Sequence, residues 1–326
     1  MFTKFYNRFK LSGLRIEHLN QKFEGRKYQA FLRVFNPFLK TLNRMIDEKQ
    51  KIDFTDMLLL AIEKMKGGAE ESYEYIIVDE FQDTSKLAID LLNLIFQNSK
   101  NASFVSVGDD WQSIYGFNGS DVEILSLYDK TYPGVSTAYL NSNFHSHSRI
   151  VELGKNFISK NPAQIQKDVI SKNTHFADSI IDFVTFKQME EIIEGIPSDE
   201  SIFVLYRYNE DCPQGIGKFK QFYTDRNRDG AKNISLMTIH ASKGLEARHV
   251  FVLFPNGVSR KFPSEIEDHF VFDMLNSNSE SYPFSEERRL MYVAITRAEQ
   301  NLYFVSPKSS NYPNSVFWDE LKEMVK

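Results

Sequence analysis

Apolar residues recur at three- and four-residue steps along the first part of the chain. Between Tyr28 and Ile46 they fall at Phe31, Val34, Phe35, Phe38, Leu39, Leu42 and Met45, the stripe of an amphipathic helix. Asp53 then stands as an N-cap for a second helix through Phe54, Met57, Leu58 and Ala61, closed by Gly67-Gly68. Residues 1–66 therefore read as helical. Beyond them the pattern changes: short apolar runs at Tyr75–Val78 and Phe104–Val107 flank a helix near Lys86–Phe96. Strand–helix–strand alternation of this kind points to an α/β domain with a parallel sheet. Tyr132-Pro133-Gly134 breaks the pattern and marks a domain junction. After it, strands are expected at Ser136–Leu140, Ile180–Phe186, Ile202–Leu205, Ile234–Met237, Val250–Phe254 and Leu302–Val305. Helices are expected at His147–Ser159, Lys187–Glu194, Glu286–Arg297 and Phe317–Met324. The polar stretch Phe262–Pro283 reads as a surface loop.

Length and composition change this picture little. The 326 residues, 42% hydrophobic with 28 Phe, 15 Tyr and 2 Trp, suffice for two cored domains and argue against global disorder. The lone cysteine, Cys212, excludes an internal disulfide framework. No signal peptide or membrane-length apolar run is legible, so a soluble cytoplasmic protein is expected, with no membrane partner. Charge is informative through its distribution. Residues 1–51 carry twelve Lys/Arg against Glu17, Glu24, Asp47 and Glu48, a net of +8 in a chain whose total is −5. That segment reads either as a phosphate-contacting arm or as a solvated helical face.

Two segments carry candidate chemistry. Ile76-Ile77-Val78-Asp79-Glu80-Phe81-Gln82-Asp83 ends an apolar strand in two carboxylates, at the sheet edge where open α/β folds bind ligands. One such carboxylate suits Mg²⁺, which keeps most of its waters, and its neighbour can orient a water for attack on a phosphate. The alternative is an acidic turn after a buried strand. Gly108-Asp109-Asp110-Trp111-Gln112-Ser113-Ile114-Tyr115-Gly116-Phe117 also follows a strand and places three aromatics in one loop. Either bases stack on them or they pack beneath the loop.

Both segments resemble motifs II and III of superfamily 1 helicases of the UvrD/Rep type. Thr238-Ile239-His240-Ala241-Ser242-Lys243-Gly244-Leu245-Glu246 resembles motif V, and Glu286-Glu287-Arg288-Arg289-Leu290-Met291-Tyr292-Val293-Ala294-Ile295-Thr296-Arg297-Ala298 resembles motif VI. The likeness runs from about Ile52 to Val305, in the family's motif order. Asp109-Asp110-Trp111 and the segment Phe262–Asp268 are similar to the bacterial helicase IV subfamily.

The resemblance implies RecA-like parallel sheets of the P-loop NTPase type. Residues 1–70 would be a helical accessory subdomain, 71–133 the last part of a first RecA-like domain, and 134–326 a complete second one. It implies ATP and Mg²⁺ as cofactors, single-stranded and duplex DNA as partners, and ATP-dependent 3′→5′ helicase activity. Asp79 would hold Mg²⁺, Glu80 would be the catalytic base, and Gln112 would sense the γ-phosphate. Arg297 would act as an arginine finger, Glu246 would bond the ribose, and Phe144 would stack near the adenine. Tyr115, Phe117, His240 and Lys243 would contact single-stranded DNA.

The sequence departs from the family in three places. No G-x-x-x-x-G-K-[ST] loop occurs in the 326 residues: of the two Gly-Lys pairs, Gly154-Lys155 is followed by Asn156 and Gly217-Lys218 by Phe219. Leu140-Asn141-Ser142-Asn143-Phe144-His145-Ser146 resembles motif IV, but His145 stands where the family has a phosphate-contacting arginine. Asn118 likewise replaces an arginine of motif III. The expectation is an N-terminally incomplete motor, inactive alone, with a separate chain as one source of the missing loop. The rivals are a non-catalytic DNA-binding or partner-docking module and, more remotely, a nuclease subunit.

Overall fold

A computed structural model describes residues 1–68, 71–132, 134–212, 233–255, 261–266, 269–275, 282–306 and 315–326. Gly217-Lys218 lies outside the described residues. The chain divides into two compact units, Met1–Pro133 with Glu267–Ser281, and Gly134–Ile266 with Tyr282–Lys326.

The first unit opens with helices α1 (Phe2–Leu11), α2 (Ile16–Lys22), α3 (Arg26–Glu48) and α4 (Phe54–Lys66). The amphipathic stripe of α3 buries Phe31, Leu32 and Phe35 against Phe5 and Phe9 of α1. Phe5 meets Phe31 and Phe35 edge-on at 4.7 and 4.8 Å, the arrangement that aromatic quadrupoles favour. Asp53 caps α4 in a reciprocal box with Asp56, each side chain accepting from the other's backbone N–H. Lys10 of α1 donates to both carboxylates and so clamps α1 onto the start of α4. Gly67 ends α4, where the glycine pair was expected to stop it.

The stretch expected to be a polar surface loop is not one throughout. Phe270–Met274 forms a 3₁₀ turn whose Val271, Phe272 and Met274 are buried among the aromatics of α1 and α3. Arg8 lies 4.5 Å over the Phe272 ring, and Tyr28 donates to Asp273 at 3.3 Å. Phe270, Val271, Phe272, Met274 and Leu275 form a short apolar run set in polar sequence and carry no periodic signal. Their burial follows from a cluster that is contributed by residues some 240 positions away.

The rest of the first unit is a parallel pair, β1 (Tyr75–Val78) and β2 (Ser103–Ser106), joined through α5 (Lys86–Asn98). Ser85 caps α5 by accepting from the Ala88 N–H at 3.3 Å. Two one-turn helices, α6 (Glu123–Ser126) and α7 (Tyr128–Thr131), follow.

In the second unit the expected strand Ser136–Leu140 does not form; Leu140 is 91% exposed. The pairing falls instead on β3 (Ser142–Asn143) and β4 (Ile170–Ser171), two residues each, on either side of α8 (Ser148–Ile158). The remaining elements are β5 (Ile181–Thr185), α9 (Phe186–Gly195), β6 (Ile202–Tyr206), β7 (Ile234–Thr238), β8 (Ala247–Leu253), α10 (Ser285–Thr296), β9 (Ala298–Ser306) and α11 (Val316–Val325). The strands build one five-stranded parallel sheet in the order β5-β9-β8-β6-β7. β6 is buried end to end and β8 at every position but Arg248, as parallel strands covered on both faces must be. One face packs Ile202, Val204, Tyr206 and Tyr303 against Met189 and Ile193 of α9. On the other, Trp318 of α11 meets Phe183 and Phe254 at 4.8 and 5.1 Å. Gly154 lets α8 close on α10, since a Cβ there would lie 3.3 Å from the Tyr292 ring.

Candidate functional site

In the first unit, β1 delivers Asp79 and Glu80 to the carboxyl edge of its sheet. Asp79 Oδ1 accepts the Glu80 N–H at 2.9 Å, and Glu80 sits at φ 50°, in the left-handed region. For a side chain with a Cβ that conformation costs on the order of 1 kcal/mol and collects at functional sites. It turns the chain sharply, so that Phe81 and Gln82 go inward while both carboxylates stay exposed.

Gln82, 1% exposed, is the residue that the sequence reading passed over. Its amide Nε2 donates to Glu80 Oε2 at 2.5 Å, and its Oε1 accepts the Asp109 N–H at 2.8 Å. Asp109 accepts in turn from the Gln112 side-chain amide at 2.7 Å and from the Trp111 N–H at 3.1 Å. A continuous hydrogen-bonded chain thus runs Glu80–Gln82–Asp109–Gln112 and joins the acid pair to the loop after β2. Gly108 leaves room for this amide, because a Cβ there would fall 2.7 Å from Gln82 Oε1 and push it aside. A glutamine beside two acids reads as solvated turn; only the folded loop shows that both ends of its amide are used.

The three aromatics of the loop part company. Trp111 is buried beneath it, whereas Phe117 is 44% exposed and Tyr115 half-buried, their rings edge-on at 6.0 Å. Arg8 of α1 donates to the Phe117 carbonyl at 2.9 Å and steadies the loop from the helical side.

In the second unit, the register pairs Ala247 with Ala298. Glu246 and Arg297 therefore stand side by side at the amino edge of the sheet. Arg297 is 7% exposed, its guanidinium donating to the carbonyls of Leu245 at 2.9 Å and Val293 at 3.1 Å. His145 Nδ1 lies 3.0 Å from Glu246 Oε2, so the histidine that replaces the family's arginine meets the carboxylate expected at the ribose. The His145 loop is braced by Asn143, whose Oδ1 accepts the N–H groups of His145 and Ser146, and by Asn173, which donates to the His145 carbonyl. Phe144 beside it is exposed. Glu299 adds to this negative cluster: burial, then nearby Glu246, raise its pKa above the ordinary carboxylate value, against His145 and Arg248. His240 and Lys243 follow the carboxyl end of β7, the opposite edge from Glu246. The segment Thr238–Glu246 therefore crosses from one edge of the sheet to the other.

The donor chemistry at Asp79 fits Mg²⁺, which is satisfied by one carboxylate together with waters and phosphate oxygens. Among the described residues no group of three or more His, Cys, Asp or Glu could form a denser metal cage. Among the same residues, no helix is long and apolar enough to cross a membrane.

Parallel sheets with an acid pair after one strand, and a buried arginine before another, define an α/β fold of the helicase type. Residues 1–133 match the UvrD/REP helicase N-terminal domain, and residues 219–309 the UvrD-like helicase C-terminal domain. DNA helicase IV of Escherichia coli (strain K12) is 29% identical over 287 residues, covering 86% of this chain and 41% of that protein. A probable DNA helicase of Mycoplasma pneumoniae is 30% identical over 307 residues, covering 88% of this chain and 53% of that protein. ATP-dependent DNA helicase PcrA of Leuconostoc citreum is 31% identical over 134 residues, covering 39% and 18% respectively. The chain belongs to the UvrD-like superfamily 1 helicases. It spans about half the length, or less, of these relatives.

Proposed function

We propose that this chain supplies the motif II-to-VI portion of an ATP-driven DNA translocase moving 3′→5′, with its phosphate-binding loop contributed by polypeptide outside these 326 residues. The observation that carries the reading is the chain of hydrogen bonds Glu80–Gln82–Asp109–Gln112, which passes through the buried Gln82 amide. An acidic turn with no chemistry to perform has no use for a buried amide spent on orienting an exposed carboxylate. Asp79 would hold Mg²⁺, which supplies charge neutralisation at the phosphates when bound. Glu80 would take the proton of the attacking water, Gln112 would bond the γ-phosphate, and Arg297 would oppose the charge that develops on it. Glu246 and Phe144 would hold the ribose and adenine. Tyr115, Phe117, His240 and Lys243 would contact single-stranded DNA. A second reading, a DNA-binding or partner-docking module that no longer hydrolyses ATP, is favoured by one observation, the absence of a G-x-x-x-x-G-K-[ST] loop from the sequence.

Two substitutions test the assigned roles. Phe117→Ala should weaken single-stranded DNA binding by about 1–3 kcal/mol in fluorescence anisotropy if the exposed ring stacks on a base. Melting is followed in parallel, and unchanged affinity in a folded variant removes the stacking role. At His145, an arginine would offer a permanent cation with a fork of donors where histidine offers one N–H. Once a P-loop-bearing polypeptide completes the motor, His145→Ala should slow ATP turnover and His145→Arg should preserve or raise it. Equal rates for all three would mean that His145 does not serve the phosphates.

A further inference from the structure

Helix α1 packs against the loop that carries Tyr115 and Phe117. Leu11, its last residue, stands so close that a Cβ on Gly119 would meet it at 3.2 Å, and Gly119 turns there at φ 89°. About one helical turn earlier, Arg8 Nε donates to the Phe117 carbonyl at 2.9 Å, while the same guanidinium lies 4.5 Å over the Phe272 ring. The two contacts fix one planar group, whose face rests on an aromatic ring while its edge presents the N–H. Both supports are anchored in turn. Phe5 and Phe9 hold α1 in the aromatic core, Lys10 ties it to Asp53 and Asp56, and Phe272 is buried in the same core. Within the loop, the N–H groups of Asn118 and Ser120 both return to the Tyr115 carbonyl, at 2.8 and 3.4 Å. The turn closes on Tyr115, and the Phe117 carbonyl takes a bond from α1 while the Phe117 ring stays exposed.

We propose that Arg8, seated on Phe272, is the positioning residue for the contact of Phe117 with single-stranded DNA: it holds the backbone beneath the ring and does not itself touch the strand. The inference rests on the reading of Phe117 as a base-stacking residue. An exposed ring on a loose turn must give up its freedom before a base can cover it, and that cost is subtracted from the stacking. A hydrogen bond at the ring's own carbonyl removes much of that freedom beforehand. Arginine suits the position by its shape as well as its charge. A lysine could supply the cation and a donor, but it has no planar face to rest on the ring while it donates. The ring beneath the guanidinium comes from the stretch between motifs V and VI, so a residue far along the chain sets a contact made by motif III.

The test compares the whole chain with R8Q, R8K, F272L, F117A and R8Q/F117A, with folds checked by circular dichroism and urea melts. Hydrogen exchange read by mass spectrometry reports the loop without DNA. Exchange across residues 115–120 should quicken in R8Q, R8K and F272L, with the five-stranded sheet unchanged. Fluorescence anisotropy with a labelled oligothymidine of about 20 nucleotides reports binding. R8Q should weaken it about fivefold, R8K nearly as much, and R8Q should cost nothing further once Phe117 is alanine. The slope of log affinity against log salt should stay the same. A slope shallower by about 0.7 in R8Q would make Arg8 a phosphate contact and overturn the proposal. Full affinity in R8K, unchanged loop exchange, an F117A loss that R8Q does not share, or an equal R8Q loss in the F117A background would overturn it too. Quickened exchange in a chain that does not bind the strand, or whose binding ignores F117A, would remove the stacking reading while showing that Arg8 orders the loop.

Discussion

Arg297→Ala is expected to lower ATP turnover of the completed motor by about 10³-fold or more, the scale on which arginine fingers act in phosphoryl transfer. Because the guanidinium is buried and anchored on the carbonyls of Leu245 and Val293, it is preorganised and does not have to be recruited from solvent. The loss should fall on kcat, with the KM for ATP little changed, if Arg297 has the proposed role of opposing charge that develops in the transition state. Arg297→Lys keeps the cation but loses the fork, and should recover only part of the rate. Steady-state kinetics with saturating single-stranded DNA decides this. A loss confined to KM would make Arg297 a ground-state binding group.

The largest stability effect is expected at Arg288, only 2% exposed between α8, α10 and α11. Both its Nη atoms donate to Glu320, at 2.8 and 3.1 Å, and its guanidinium lies 4.6 Å from the Phe157 ring and 5.0 Å from that of Phe317. Arg288→Met keeps much of the packing and leaves the Glu320 charge with Lys160 as its remaining ion-pair partner at 3.2 Å among the described residues. Breaking a buried pair from one side costs about 3–5 kcal/mol, and the lower end is expected here because Glu320 is partly exposed. Adding Glu320→Met should return part of the loss, because the stranded charge goes with it. The pH dependence follows in sign. Burial raises the Glu320 pKa, but its bonds to Arg288 and Lys160 outweigh that and hold it below the ordinary carboxylate value. The pair's contribution is therefore present above the usual carboxylate range and is lost as pH falls through the lowered folded-state pKa. Urea melts of the three proteins at neutral and acid pH test this. Equal stability of single and double variants would mean that the packing, and not the charge, is what was lost.

Local pattern made the helices and most strands legible. The stripe of α3, the Asp53 cap and the alternation through the second unit each follow from residues near in sequence, and so do the paired carboxylates after β1. What stayed hidden depends on distant contacts. The turn Phe270–Met274 is buried because α1 and α3 offer an aromatic surface, and nothing in its own polar surroundings says so. Ser136–Leu140 has the composition of a strand, yet the pairing falls further on, at Ser142–Asn143 with Ile170–Ser171, and Leu140 stays exposed. Gln82 could not be singled out, since its value lies in reaching Asp109, 27 positions away. The pairing of Arg207 with Glu287 at 2.6 Å, linking the end of β6 to α10 across 80 positions, is of the same kind.

The most direct test of the central claim is hydrolysis of labelled ATP with excess single-stranded DNA, by the chain alone and after a P-loop-bearing polypeptide is supplied. The account predicts no DNA-stimulated turnover by the chain alone, because Asp79, Glu80 and Arg297 lack a cradle for the phosphates, and clear stimulated turnover once it is completed. A rate above about 1 s⁻¹ from the chain alone, or none from a completed form that binds both ATP and DNA, would contradict it.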